Sequence, residues 1–171
     1  MLRYYERMLK LFPFSRLAQS PSVFRIVAVD YGEAPVFERS LAHPLDLGEV
    51  LEAAKEFEHS DCCYRLETWW DLWQYDTEWK LKPSRVTLCC FGPDFARDLG
   101  EDLRIEFGID ALFLPQLELP NAVRMAQSNI KSLLKLVHDL DDNLNPERRQ
   151  LWSESGENFS ETLQRALEMA E

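Results

Sequence analysis

The hydrophobic pattern of this chain changes period at Pro120, and that change does most to restrict the fold. Before it, Leu103, Ile105, Phe107, Ile109, Ala111 and Phe113 alternate with Arg104, Glu106, Gly108 and Asp110. A period of 2 sustained over about six pairs predicts a strand with one buried and one wet face. Leu112 and Leu114 make the second face apolar as well, so the strand's end should be covered. After Pro120, Val123, Ala126, Ile130, Leu133, Val137, Leu140 and Leu144 follow one another at alternating steps of three and four. That spacing predicts a long amphipathic helix, its apolar stripe widened by Leu134 and Leu136. A chain carrying both periods in separate segments belongs to the α+β class.

The remaining segments extend the same reading. Leu2, Tyr5, Leu9 and Phe12 recur at helical spacing ahead of Pro13, predicting a short helix within residues 1–17 that packs on the body. A membrane-surface role for it is the weaker alternative, since Glu6 interrupts its basic side. Val23 to Asp30 is nearly continuous in apolar and β-branched residues, and Val36 to Leu41 follows after a turn containing Gly32 and Pro35, so the two should form an antiparallel hairpin. Asp46 and Glu49 stand like a capping box before Leu47, Val50, Leu51, Ala54 and Phe57, predicting a helix. Tyr64 to Tyr75 and Val86 to Phe91 read as strands. Asn145-Pro146 is expected to cap a second C-terminal helix carrying Leu151, Trp152, Phe159, Leu163, Ala166, Leu167 and Ala170, broken near Gly156.

The expected architecture is therefore a mainly antiparallel sheet of about five strands, in the order β-β-α-β-β-β-α-α, covered by helices. A single domain over 1–171 is expected, with a short N-terminal helix (1–17), a sheet with one inserted helix (22–114) and a C-terminal helical hairpin (120–171). Its 171 residues suit one domain, and 46% hydrophobic and 12% aromatic content argue against disorder. The Val123 to Leu144 helix also suits pairing with a second subunit, but covering its own sheet is favoured over a homodimer.

Charge narrows the partners. The formal net charge is -11, and the segment from Asp139 to the C-terminus carries nine acids against three bases. Nucleic acid is excluded on that balance, because its binding rests on Lys and Arg at phosphates. No stretch of about 18 apolar residues exists, and the first residues lack a signal peptide's charged and apolar blocks, so no membrane association and a cytoplasmic location are expected. The acidic run, with Asp139, Asp141 and Asp142 at its start, is either a solvated face or a docking surface for a basic protein.

Several chemistries are absent. The six glycines are never closer than eight residues apart, so no phosphate-cradling loop or nucleophile elbow can be written. His43, His59 and His138 form no His-Glu-x-x-His site, and no metal or cofactor is expected. The four cysteines occur as Cys62-Cys63 and Cys89-Cys90. A hairpin turning at Asp76-Thr77 would set Cys63 opposite Cys90, with His59 near. The pair then reads as plain packing, as a redox-sensitive cross-strand pair, or as part of a metal site.

The most unusual segment is Glu67 to Asp76. Alternation places Glu67, Trp69, Asp71, Trp73 and Tyr75 on one face and Leu66, Thr68, Trp70 and Leu72 on the other. The first face is either packed, with Asp71 meeting Lys82 across the strands, or a binding surface of aromatics and carboxylates. Glu67 and Asp71 lie about 13 Å apart along a strand, too far for a glycosidase pair. With no catalytic grouping evident, the expected function is a non-enzymatic interaction or regulatory domain, such as an inhibitor of a basic partner. A ligand-binding protein or enzyme using the Glu67 to Tyr75 face, with Glu67 or Asp71 as acid or base, is the alternative.

Overall fold

The computed structural model describes residues 1–97 and 100–170. Its elements are α1 (Leu2–Leu11), β1 (Ser22–Ala28), β2 (Phe37–Leu41), α2 (Leu47–Glu56), β3 (Cys62–Tyr75), β4 (Trp79–Phe91), β5 (Leu103–Glu106), a 3-10 turn (Asp110–Phe113), α3 (Ala122–Leu144) and α4 (Ser160–Glu168). The strands form one five-stranded antiparallel sheet in the order β2-β1-β3-β4-β5. The α+β class and the element order thus follow the sequence periods. The chain divides into two compact units: Met1–Trp70 with Pro83–Phe107, and Asp71–Lys82 with the chain from Gly108 onward.

In the first unit, alternation along each strand sorts the side chains onto two faces. Phe24, Ile26, Tyr64, Leu66 and Leu88 are fully or almost fully buried. Their cover is α1 and α2: Tyr5 of α1 stacks 5.7 Å from Tyr64 and donates its hydroxyl to the Leu88 carbonyl, while Phe57 beyond α2 meets Phe37 at 5.4 Å. Burying each large side chain of this kind contributes about 2 kcal/mol. Asp46 caps α2 by accepting from Gly48 N–H at 2.8 Å. The opposite face carries charges. Arg25 pairs with Glu38 and Glu67, and Arg104 with Glu101 and Glu106. Arg65 lies between, 3.9 Å from both Glu67 and Glu106.

In the second unit, the tip of the β3-β4 hairpin, the 3-10 turn, α3 and α4 come together. The apolar stripe of α3 is buried from Ala122 through Ala126, Ile130 and Leu133 to Leu136, and α3 packs on both the 3-10 turn and α4. Gln127 holds the end of α4, donating to the carbonyls of Ala166, Leu167 and Met169.

Three local expectations are corrected. The alternating segment 103–114 is a strand only over Leu103–Glu106. Gly108 adopts φ +83, a left-handed conformation that ends the ladder, and Asp110–Phe113 then coil into the 3-10 turn. The turn is fixed by reciprocal bonds, Asp110 N–H to the Glu154 carboxylate and Glu154 N–H to the Asp110 carboxylate. Asn145 does not begin a helix: at φ +47 it is the left-handed C-cap of α3, and its N–H bonds the Asp141 carbonyl. Residues 145–159 form turns with a short bridge between Trp152 and Asn158, so α4 starts only at Ser160. Finally, the β3-β4 turn spans Asp76 to Glu78, with Asp76 N–H bonded to Glu78 O and Gly92 N–H to Cys62 O. That register is one residue removed from a turn centred on Asp76-Thr77, and such a slip changes which side chains share a face.

Candidate functional site

The aromatic segment of β3 alternates as its sequence predicts. Leu66, Thr68, Trp70 and Leu72 are buried, whereas Glu67, Trp69, Asp71, Trp73 and Tyr75 are half-buried. These five divide between the two units. In the first, Glu67 is engaged by Arg25, with Arg65 3.9 Å away, and Trp69 donates its indole N–H to the Pro21 carbonyl at 3.3 Å beneath the Arg85 guanidinium. Both side chains are held by structural partners. Lys82 in the second unit reaches Asp76 at 3.4 Å.

Trp73 and Tyr75 belong to the second unit, where they line a cleft of about 130 Å³ with Trp79, Gln74, Gln116, Asn129 and the aliphatic side chains of Ile109, Ala111, Leu112, Leu114 and Ala126. None of these residues is an acid or a base. Tyr75 and Trp79 meet edge to face at 5.3 Å, and Trp79 is oriented by an indole bond to the Pro120 carbonyl at 2.5 Å. Trp73 is fixed through its backbone: Asn129 accepts from its N–H at 2.8 Å and donates to its carbonyl at 2.9 Å, with a further bond to the Leu112 carbonyl at 2.7 Å. Hydrogen bonds thus position the Trp73 backbone and the Trp79 indole at the cleft. A cavity of this size holds about one six-membered ring, since an apolar cavity of about 150 Å³ takes up benzene.

Asn129 and Trp79 are the residues that sequence reasoning overlooked. Asn129 falls on the apolar stripe of α3, between Ala126 and Leu133, and an amide placed there must find partners. That was the available signal. Trp79 lacked one, because it becomes a wall of the cleft only through the hairpin turn.

The acidic residues of α3 are each engaged within the second unit. Asp139 pairs with Lys135 at 2.7 Å, Asp141 with Arg149, and Asp142 with His138 at 3.4 Å. Asp139 and Asp141 are thus in ion pairs, and Asp142 lies beside an imidazole.

The cysteines lie in the first unit, and all four are buried free thiols. The one-residue register slip places Cys63 with Cys89, not Cys90, in a buried cluster with Val27, Phe91 and Phe95. Cys90 faces the other way, its Sγ 3.7 Å from the Met1 carbonyl, and burial pushes its thiol up to about 12. Among the described residues no group of three or more His, Cys, Asp or Glu side chains is placed to hold a metal ion, and no helix is long and apolar enough to cross a membrane.

The cleft thus offers aromatic faces and amides without a charged group. Comparison of the chain with family models, curated proteins and solved structures finds no match, so its functional reading rests on this geometry.

Proposed function

We propose that this chain is a non-enzymatic interaction or regulatory protein whose aromatic cleft takes up one uncharged ring or apolar side chain from a partner. The observation that supports this reading is the cleft itself: Trp73, Tyr75 and Trp79 line a ring-sized space with no acid or base, in a chain of which 29% is charged. Aromatic walls give contact area at little entropic cost, which is how anchor pockets concentrate binding energy. The net charge of -11 favours a partner with basic residues around that anchor and a salt-sensitive encounter in a reducing, cytoplasmic setting. Neither nucleic acid nor a membrane suits the same charge balance.

Capped single residues test the proposal without the partner in hand. N-acetyl-phenylalaninamide and N-acetyl-leucinamide should bind with Kd of about 1 mM, worth about 4 kcal/mol, and shift the indole resonances of Trp73 and Trp79. The capped glycine analogue should not. Trp73→Ala should abolish the shift at Trp79 while leaving the fold intact. No shift with any probe, or equal shifts in Trp73→Ala, would reject the cleft as an anchor site.

A further inference from the structure

We propose that Cys63 and Cys89 form a peroxide-oxidisable thiol pair, with Cys63 as nucleophile and Cys89 as resolving thiol. Both are 0% exposed and share a cluster with Val27, Phe91 and Phe95 on the sheet face opposite α1 and α2. Tyr31, in the loop after β1, covers that cluster: its ring meets Phe95 at 5.2 Å and Phe91 at 6.0 Å. The guanidinium carbons of Arg104 and Arg65 lie 5.9 and 6.0 Å from the same ring. The Nε of Arg65 is buried without a hydrogen-bond partner, 3.9 Å from the Glu67 carboxylate.

These neighbours differentiate the two sulfurs. Cys63, whose Sγ lies 3.7 Å from the Tyr64 carbonyl, is held below the ordinary thiol range by neighbouring Cys89 and by Tyr31, Arg65 and Arg104, despite its burial. Cys89, beside Cys63 and itself buried, is pushed up. Tyr31 is also pushed up by burial and so remains a protonated donor. Ionisation is therefore easier at Cys63 than at Cys89, the order that a nucleophile and its resolving thiol require.

The chemistry balances with hydrogen peroxide as oxidant. The Cys63 thiolate attacks one peroxide oxygen, an S–O bond forms as the O–O bond breaks, and hydroxide leaves to take a proton from solvent. The Cys89 sulfur then displaces the hydroxyl of the Cys63 sulfenic acid, and its proton leaves with that hydroxyl as water. Overall, two thiols lose two electrons and peroxide becomes two waters. Access runs through Tyr31, itself 40% exposed, on a loop that leaves β1 at Val29 with φ +72, a conformation β-branched residues rarely adopt.

The test is a peroxide titration of the folded full-length protein, read by intact mass and by peptide mapping of all four cysteines. A disulfide linking the Cys63 and Cys89 peptides is expected, forming at least about tenfold faster than any oxidation of Cys62 or Cys90. The rate should rise with pH through a midpoint below about 8.5, that of an ordinary thiol. Cys89→Ser should halt at a sulfenic acid on Cys63 that a cyclic dione traps, and Tyr31→Phe should slow the reaction. Oxidation confined to Cys62 or Cys90, an unchanged rate in Cys63→Ser, or reaction only after unfolding in urea would overturn the proposal. Should Cys63→Ser fail to fold, the peptide map of the unmodified sequence decides by itself.

Discussion

The side-chain amide of Asn129 in α3 pairs with the backbone of Trp73 in β3 on both sides, accepting from its N–H at 2.8 Å and donating to its carbonyl at 2.9 Å. It does for the strand edge what another strand would. Beyond Glu67, β3 has left the part of its length paired with β1, so its outer edge needs other partners. Trp69 receives Ser15 N–H on its carbonyl at 2.8 Å, and Trp73 receives an amide side chain. Asn129 is 2% exposed, and its remaining donor goes to the Leu112 carbonyl.

Asn129→Ala should accordingly be among the most damaging single changes in the second unit. It strands buried backbone groups at about 1–3 kcal/mol each, less whatever water regains. A loss of about 2–4 kcal/mol in urea unfolding is expected, together with loss of probe binding in the cleft. Asn129→Asp keeps the acceptor but turns a carboxylate toward two carbonyls, and should not rescue.

Gly92→Ala tests the close approach of β4 to the segment before β3. A Cβ at Gly92 would lie 2.2 Å from the Ser60 carbonyl oxygen, and that backbone is tied by Asp94 N–H to Ser60 O at 2.8 Å. Neither side can yield cheaply. Destabilisation near or above the upper end of the usual overpacking range, about 3 kcal/mol, is expected in denaturant melts.

Alkaline pH should unfold the protein through its buried phenols. Tyr5, Tyr64 and Tyr31 are all pushed up by burial, so the folded state keeps protons that the unfolded chain releases near about pH 10. Below that pH the phenols are protonated in both states and contribute no pH dependence of their own. Above it the folded state binds more protons, and stability falls as pH rises. Urea midpoints measured from about pH 8 to about pH 11 should decline, and Tyr5→Phe should flatten the decline.

Charge reversal on α3 separates a docking surface from a solvated one. Asp142→Lys removes an exposed pair with His138 and should change stability by less than about 0.5 kcal/mol. Asp141→Lys sets two cations together at Arg149 and should cost slightly more. If the acidic face steers a basic partner, the double variant should slow association and weaken its salt dependence, as stopped-flow mixing would show. Unchanged rates would remove the acidic face from the proposed interface.

Much of the fold was legible because local period and burial agree. β1 and β2, the helix capped by Asp46, the buried even-numbered face of β3 and the Ala126, Ile130, Leu133 and Leu136 part of α3's stripe follow from spacing alone, whereas Leu134 is 43% exposed. Where reading failed, a single backbone conformation intervened. Gly108 and Asn145 at positive φ ended elements that the side-chain pattern would have continued or begun. The site was half legible: Trp73 and Tyr75 could be placed on one face of a strand, but not with Trp79, Asn129 and Leu112, which reach them from distant parts of the chain.

The sequence by itself determined the class of fold and the alternating faces of its longer strands, because these depend on side-chain order along one element. The tertiary structure decided which cysteine faces Cys63, what satisfies the outer edge of β3 and where a ring-sized cleft opens. Those outcomes turn on strand register and on contacts between residues as far apart as Trp73 and Asn129. A one-residue difference in a turn is almost silent in composition and period, yet it changes the partner of every side chain along the hairpin.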